Sequence, residues 1–154
     1  MLRVEHAPVE PAFGYRIDYK DRSISISGDT IYHPGFVAGS EGVDVMLHEA
    51  LDPEMVSANG AQMEARGQAN TAKIFSDILD YHASPEDAAR SAQEAGADQL
   101  VLYHLVPPLP AKIIETIFLD GTREEFDGPI TIATDGLVIS LPAGTDRIET
   151  SQAF

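Results

Sequence analysis

The sequence contains no cysteine. That excludes disulfides, thiolate metal sites and a cysteine nucleophile, so any metal must be held by histidine and carboxylate. No apolar run approaches the ~20 residues a membrane span needs, and no membrane partner is expected. Cations are scarce: 10 Lys and Arg stand against 25 Asp and Glu, a formal charge of −15. Such a surface repels phosphate backbones, so the expected partner is a small-molecule substrate and not nucleic acid. Repeats and low-complexity tracts are also missing. Met1–His6 carries neither the basic nor the apolar region of a secretory leader, and a cytoplasmic location is expected. A strand is already under way at Leu2–Val4, as though the chain continued from something longer.

What is present is ordinary for a folded domain. The chain has 154 residues, 44% hydrophobic and 23% charged, enough for one domain that buries about 68–70% of its unfolded surface. Pro8, Pro11 and Gly14 predict a loop after His6. Tyr15–Tyr19 and the alternating Ser23-Ile24-Ser25-Ile26-Ser27 read as strands joined by a Lys20-Asp21-Arg22 turn. Val43–Leu47 reads as a buried strand, and residues 53–67 leave helix and loop both open. Ile74, Phe75, Ile78 and Leu79 form one stripe of a helix over 70–81. Ser84-Pro85-Glu86-Asp87 opens another helix, with Ser84 as N-cap, and Gly96 ends it. A strand at Gln99–Tyr103 completes a crossover from 43 to 104, of the kind that joins parallel strands. A helix over Leu109–Phe118 follows. Pro129–Ala133 and Leu137–Leu141 then read as a hairpin across the Asp135-Gly136 turn. The expected class is α/β or α+β, a sheet with helices on one face.

The polar residues fall at the ends of these strands. Ser27 runs into Gly28-Asp29-Thr30, Leu47 into His48-Glu49-Ala50, and Tyr103 into His104. His82 precedes the capped helix, and His6 opens the Pro/Gly segment. In open α/β sheets ligands bind beyond the carboxyl ends of strands. Each residue also has a plain structural use: an Asx turn for Asp29, a helix-dipole partner for His82, an ion pair for His48 and Glu49. Imidazole with carboxylate and no thiol is nevertheless the donor set of hydrolytic zinc, manganese or iron sites.

Six stretches in this order carry a resemblance. They are His6-Ala7-Pro8-Val9-Glu10-Pro11-Ala12-Phe13-Gly14-Tyr15-Arg16, Ile26-Ser27-Gly28-Asp29-Thr30, Leu47-His48-Glu49-Ala50, Tyr81-His82-Ala83-Ser84, Leu102-Tyr103-His104-Leu105 and Asp135-Gly136-Leu137. From about residue 3 to residue 142 the chain resembles the C-terminal half of the metallo-β-lactamase superfamily, in the branch of ribonuclease Z and the arylsulfatase-like hydrolases. The resemblance implies half of an αββα sandwich, a mixed sheet with helices on one face. It implies His6, Asp29 and His104 as metal ligands, with Asp29 bridging two zinc ions (manganese or iron being alternatives). His48-Glu49 looks like the family's His-Glu-Ala-Thr motif, with Leu51 in place of Thr. His82 looks like the histidine of its His-Ser-Thr motif, here His-Ala-Ser. Those motifs imply proton handling by His82 with Glu49 or His48.

The sequence departs from the family in one respect. The His-x-His-x-Asp-His signature, which supplies four of the family's seven metal ligands, is absent; the histidines stand at 6, 33, 48, 82 and 104. The expectation is therefore a single domain over residues 1–154 that lacks the N-terminal half. Its open sheet face should drive homo-oligomerisation or await the missing half. On this reading the chain alone binds metal weakly or not at all and has little or no activity. Three functions follow: a metal-dependent hydrolase of a small ester or phosphodiester, a transfer-RNA 3′-processing endonuclease, or a non-catalytic half-domain serving assembly. Charge favours the first over the second, as does the short turn between Arg16-Ile17 and Ser23.

Overall fold

The structure is a computed structural model that describes residues 1–154. Its centre is a six-stranded mixed sheet in the order β1-β2-β3-β4-β5-β6. β1 (Leu2–His6), β2 (Val9–Tyr19) and β3 (Arg22–Ile26) form an antiparallel meander. β4 (Val45–Leu51), β5 (Gln99–Val106) and β6 (Ile130–Ile132) add on in parallel. The parallel half depends on the predicted crossover. Between β4 and β5 run α2 (Pro53–Ala65), α3 (Ala69–Asp77) with a 3₁₀ turn at Ile78–Asp80, and α4 (Pro85–Ala95). Ser84 caps α4 as expected, its Oγ accepting the Asp87 N–H at 3.1 Å, and Gly96 ends it at φ +66°. The stretch left open at 53–67 is helical because Asp52 caps it, Oδ1 accepting the Met55 N–H at 2.9 Å.

Alternation divides the sheet into two faces. Met46, His48 and Ala50 share one face with Leu100 and Leu102. There the core forms with Phe36 of α1 (Pro34–Gly39), the alanines of α4 and Phe118 of α5 (Lys112–Phe118). Ala88, Ala89, Ala92 and Ala95 give α4 a side-chain-poor face, so the helix can lie close on the sheet. Across the sheet, Ile17, Ile24, Val45 and Leu47 line a groove of about 510 Å³ beneath Leu137, Ile139 and Leu141. Even so, Tyr15, Ile17 and Tyr19 of β2 stay about half exposed or more. Helices thus cover one face, and the other is apolar and only partly covered. No helix is long and apolar enough to cross a membrane.

Two local expectations are corrected. The segment after His6 is only a two-residue Ala7-Pro8 turn and then strand: β1 and β2 pair across it, with register slipping between Val4 and His6. Proline cannot donate to a ladder, and Pro11 lies in β2 where the register slips. The second correction concerns the Asp135-Gly136 turn. β6 and β7 (Leu137–Ser140) do not pair with each other. β6 joins β5 in the main sheet, and β7 pairs antiparallel with β8 (Glu149–Gln152). The turn signal is correct, with Gly136 at φ +86°, but the buried edge of β5 takes β6 and overrides the local hairpin.

Candidate metal centre

The carboxyl ends of β3, β4 and β5 meet at one rim. β3 leads into Ser27-Gly28-Asp29-Thr30, a turn that needs glycine: Gly28 sits at φ +63°, and a Cβ there would lie 2.5 Å from Phe13 O. The Ser27 Oγ accepts the Glu49 N–H at 3.0 Å and donates to Gly28 O at 2.6 Å, keying the turn to β4. Asp29 is left partly exposed, with Oδ1 3.8 Å from His104 Nδ1.

β4 does not stop at Leu47. It runs through His48 and Glu49, so alternation sends those two side chains to opposite faces. Glu49 faces the rim and is fully buried. Its Oε1 accepts from His82 Nδ1 at 3.0 Å, from the Ala83 N–H at 3.0 Å and from the Thr30 N–H at 3.2 Å. Its Oε2 has no partner. His48 points into the helical core, its ring 5.6 Å from that of Phe36 and its Nδ1 2.7 Å from Glu49 O. Burial holds its pKa below the ordinary imidazole value.

β5 likewise continues past Tyr103. His104 is the extra residue of a bulge: Glu49 pairs with Tyr103, Ala50 pairs with Leu105, and His104 between them takes φ +47°. Bulges re-aim side chains beside active sites, and this one brings His104 to the rim. His82 stacks on it at 5.7 Å and 15°, and meets the His6 ring edge-on at 5.1 Å. The His6 Nε2 is buried without a hydrogen-bond partner. For His82, burial pulls the pKa down, but the bond to Glu49 and the charges of Glu49 and Asp29 outweigh it and leave it raised.

The structure thus brings His6, Asp29, Glu49, His82 and His104 to one rim and leaves His48 on the far side of the sheet. His33 caps α1, its Nδ1 accepting the Phe36 N–H at 3.2 Å. A ligand atom from each of Glu49, His82 and His104 lies within 4.8 Å of the others, a group that overlaps the expected His6, Asp29 and His104 only at His104. Imidazole and carboxylate donors with an orphaned buried His6 Nε2 fit a divalent transition metal. Ser27 and Thr30, which fix the turn around Asp29, were not among the expected site residues. A hydroxyl on each side of a glycine-aspartate turn was their only signal.

No protein-family profile matches the chain. Among solved structures, the metallo-β-lactamase fold protein YhfI of Bacillus subtilis superposes with a TM-score of 0.60 at 24% identity, covering 86% of this chain and 45% of that one. The short form of human tRNase Z superposes at 0.54 and 25% identity, covering 91% of this chain and 40% of that one. The chain belongs to the metallo-β-lactamase superfamily. Within it the chain is ribonuclease Z-like: it is 34% identical to the ribonuclease Z of Mycobacterium avium over 131 residues, 85% of this chain. A putative ribonuclease Z of Mycobacterium tuberculosis is 30% identical over 132 residues. The chain spans 42% of the length of the first and 53% of the second. These relatives correct one expectation. They are ribonucleases, and one structural neighbour is a tRNase, so nucleic acid is no improbable partner for this family. Net charge is a sum over the whole surface, whereas a phosphate group is met locally.

Proposed function

We propose that this chain forms part of a metal-dependent phosphodiesterase that cleaves RNA, with a transfer-RNA precursor as substrate. The single observation that carries the reading is the Glu49–His82 pair, 3.0 Å apart, beside His6, Asp29 and His104 at one rim. His6, Asp29 and His104 are the residues that would hold metal, and the family's remaining ligands would come from outside these 154 residues. Zinc is the metal the donor set favours, with manganese and iron as alternatives. When bound, such ions polarise a phosphoryl oxygen and lower the pKa of a bound water.

This chain's own residues then have separate tasks. Glu49 accepts the Nδ1 proton of His82 and so fixes its tautomer, leaving Nε2 as the atom that meets substrate. A raised pKa keeps more of His82 protonated near neutrality, suiting it to protonate the leaving oxygen. The buried Glu49 carboxylate, gripped by two backbone N–H groups, stabilises the imidazolium until that proton leaves. His48, on the helical side of the sheet, has no part in this transfer.

A chimera provides the test. The matching 131 residues of the Mycobacterium avium ribonuclease Z are replaced by this sequence, and cleavage of a transfer-RNA precursor is assayed. The expected result is cleavage that Asp29→Ala abolishes without unfolding the protein. Hydrolysis of bis(p-nitrophenyl) phosphate without precursor cleavage would return the reading to a small-ester hydrolase. A folded chimera that binds zinc and does neither would leave a non-catalytic half-domain.

A further inference from the structure

Two hydroxyl residues flank the Gly28-Asp29 turn, and both are fully buried. Ser27 ties the turn to β4. Thr30 reaches in two directions. Its N–H donates to Glu49 Oε1 at 3.2 Å. Its Oγ1 accepts the Glu5 N–H at 3.2 Å and donates to Ile31 O at 2.8 Å. The Ile31 N–H in turn donates to Glu5 O at 3.2 Å. Glu5 is therefore stapled to residues 30–31, and the next residue in the chain is His6.

The staple matters because the ladder breaks at this end of β1, where His6 otherwise rests on its pairing with Val9 and on the rings of Tyr81 and His82. That strand lies at the sheet edge, paired only with β2, and its register slips between Val4 and His6. A broken ladder leaves backbone groups unpaired and lets the strand bend. The bonds from residues 30–31 replace the missing rungs at that point. The same threonine closes one side of the Glu49 carboxylate, whose other donors to Oε1 are His82 and Ala83. One residue thus spans the gap between the strand bearing His6 and the Glu49–His82 pair.

We infer that Thr30 is a positioning residue: its hydroxyl holds Glu5-His6 and its amide holds Glu49, so that His6 faces His82 across the rim. Fully buried, it would act through Glu5-His6 and Glu49 and not by touching metal or substrate. The functional consequence rests on the metal-hydrolase reading above, because what Thr30 aligns are a proposed ligand and a proposed proton donor.

The test compares Thr30→Val and Thr30→Ser in the full chain. Valine keeps the shape and removes only the hydroxyl, whereas serine keeps the hydroxyl. In metal-free protein, Glu5 amide exchange and the nuclear Overhauser contact between the His6 and His82 rings report position. Zinc titration by calorimetry reports the consequence. In T30V, Glu5 exchange should quicken about tenfold or more and the ring contact should vanish. Zinc affinity should fall about 10–100-fold, the loss typical of residues that orient ligands, and T30S should restore it to within about threefold. Unchanged Glu5 protection and ring contact in T30V overturn the inference. Should T30V fail to fold, T30S decides: a folded T30S protein without the contact or the zinc affinity overturns it equally. Where the chain alone binds zinc too weakly to titrate, the chimera with the Mycobacterium avium protein serves for the zinc comparison; a chimera that binds no zinc while T30V still loses the ring contact sinks the metal reading and leaves the positioning inference standing.

Discussion

The Nδ1 atom of His82 lies 3.0 Å from the Oε1 atom of Glu49, and neither side chain is more than 7% exposed. A charge interaction in so dry a place changes how the imidazole titrates. In metal-free protein, Glu49→Gln should lower the His82 pKa, because the lowering effect of burial remains while the Glu49 charge is lost and only Asp29 still raises it. The sign for stability follows. A raised folded pKa contributes stability that is fully present below the unfolded value near 6.5 and is lost as pH rises through the folded value. The stability gap between wild type and E49Q should therefore narrow as pH rises past the His82 midpoint. Histidine-ring NMR titration with urea denaturation at several pH values checks both; an unmoved His82 midpoint would remove Glu49 as its partner.

Metal titration of the chimera separates two overlapping donor sets. If His6, Asp29 and His104 hold zinc, Asp29→Ala and His104→Ala should each weaken binding by at least about 100-fold. Glu49→Ala should then cost about 10-fold or less, through His82 and the turn alone. The reverse ranking, with E49A collapsing binding and D29A tolerated, would place the ion in the Glu49, His82 and His104 group instead.

His48 makes a prediction about acid. Its folded pKa is depressed by burial, so the unfolded chain takes up a proton that the folded one refuses. Stability should fall as pH drops below about 6.5, by up to about 1.4 kcal/mol per pH unit from this residue. His48→Leu should flatten that slope between pH 6.5 and 5 in denaturation experiments, and chimera activity at neutral pH should survive it. A slope identical to wild type would show that the ring is not kept neutral by the fold.

Arg22 pairs with Asp44 at 2.8 Å, and both are largely buried. Its Nη1 also donates to Thr145 O, while the neighbouring Asp21 Oδ2 accepts the Gly144 N–H at 2.6 Å. These bonds latch the approach to β8 onto the β2–β3 turn. Arg22→Leu should cost about 3–5 kcal/mol by urea denaturation, the range for stripping one partner from a buried pair. Amide exchange should quicken in β8 well before it does in β4. Uniform quickening across both strands would mean that the pair supports the whole domain and not the latch.

Much of this molecule is legible in its residues taken in order. The capped helix from Ser84 to Gly96, the alternating strand at 23–27 and the parallel crossover follow from local chemistry: a hydroxyl that caps, a glycine that turns left-handed, side chains that alternate faces. His6, Asp29, His82 and His104 were legible as residues at the ends of elements. The sequence could not say how far β4 and β5 run. Because β4 continues through residue 51, His48 and Glu49 part to opposite faces, and one neighbour joins the rim while the other joins the core. Because β5 carries a bulge, His104 is swung to the site. Neither event has a one-residue signature, since both depend on which strand lies alongside. The same holds for β6, whose local turn argued for one partner and whose burial chose another. Residue chemistry selected the donors; long-range strand pairing, which no short window of sequence encodes, decided which of them meet.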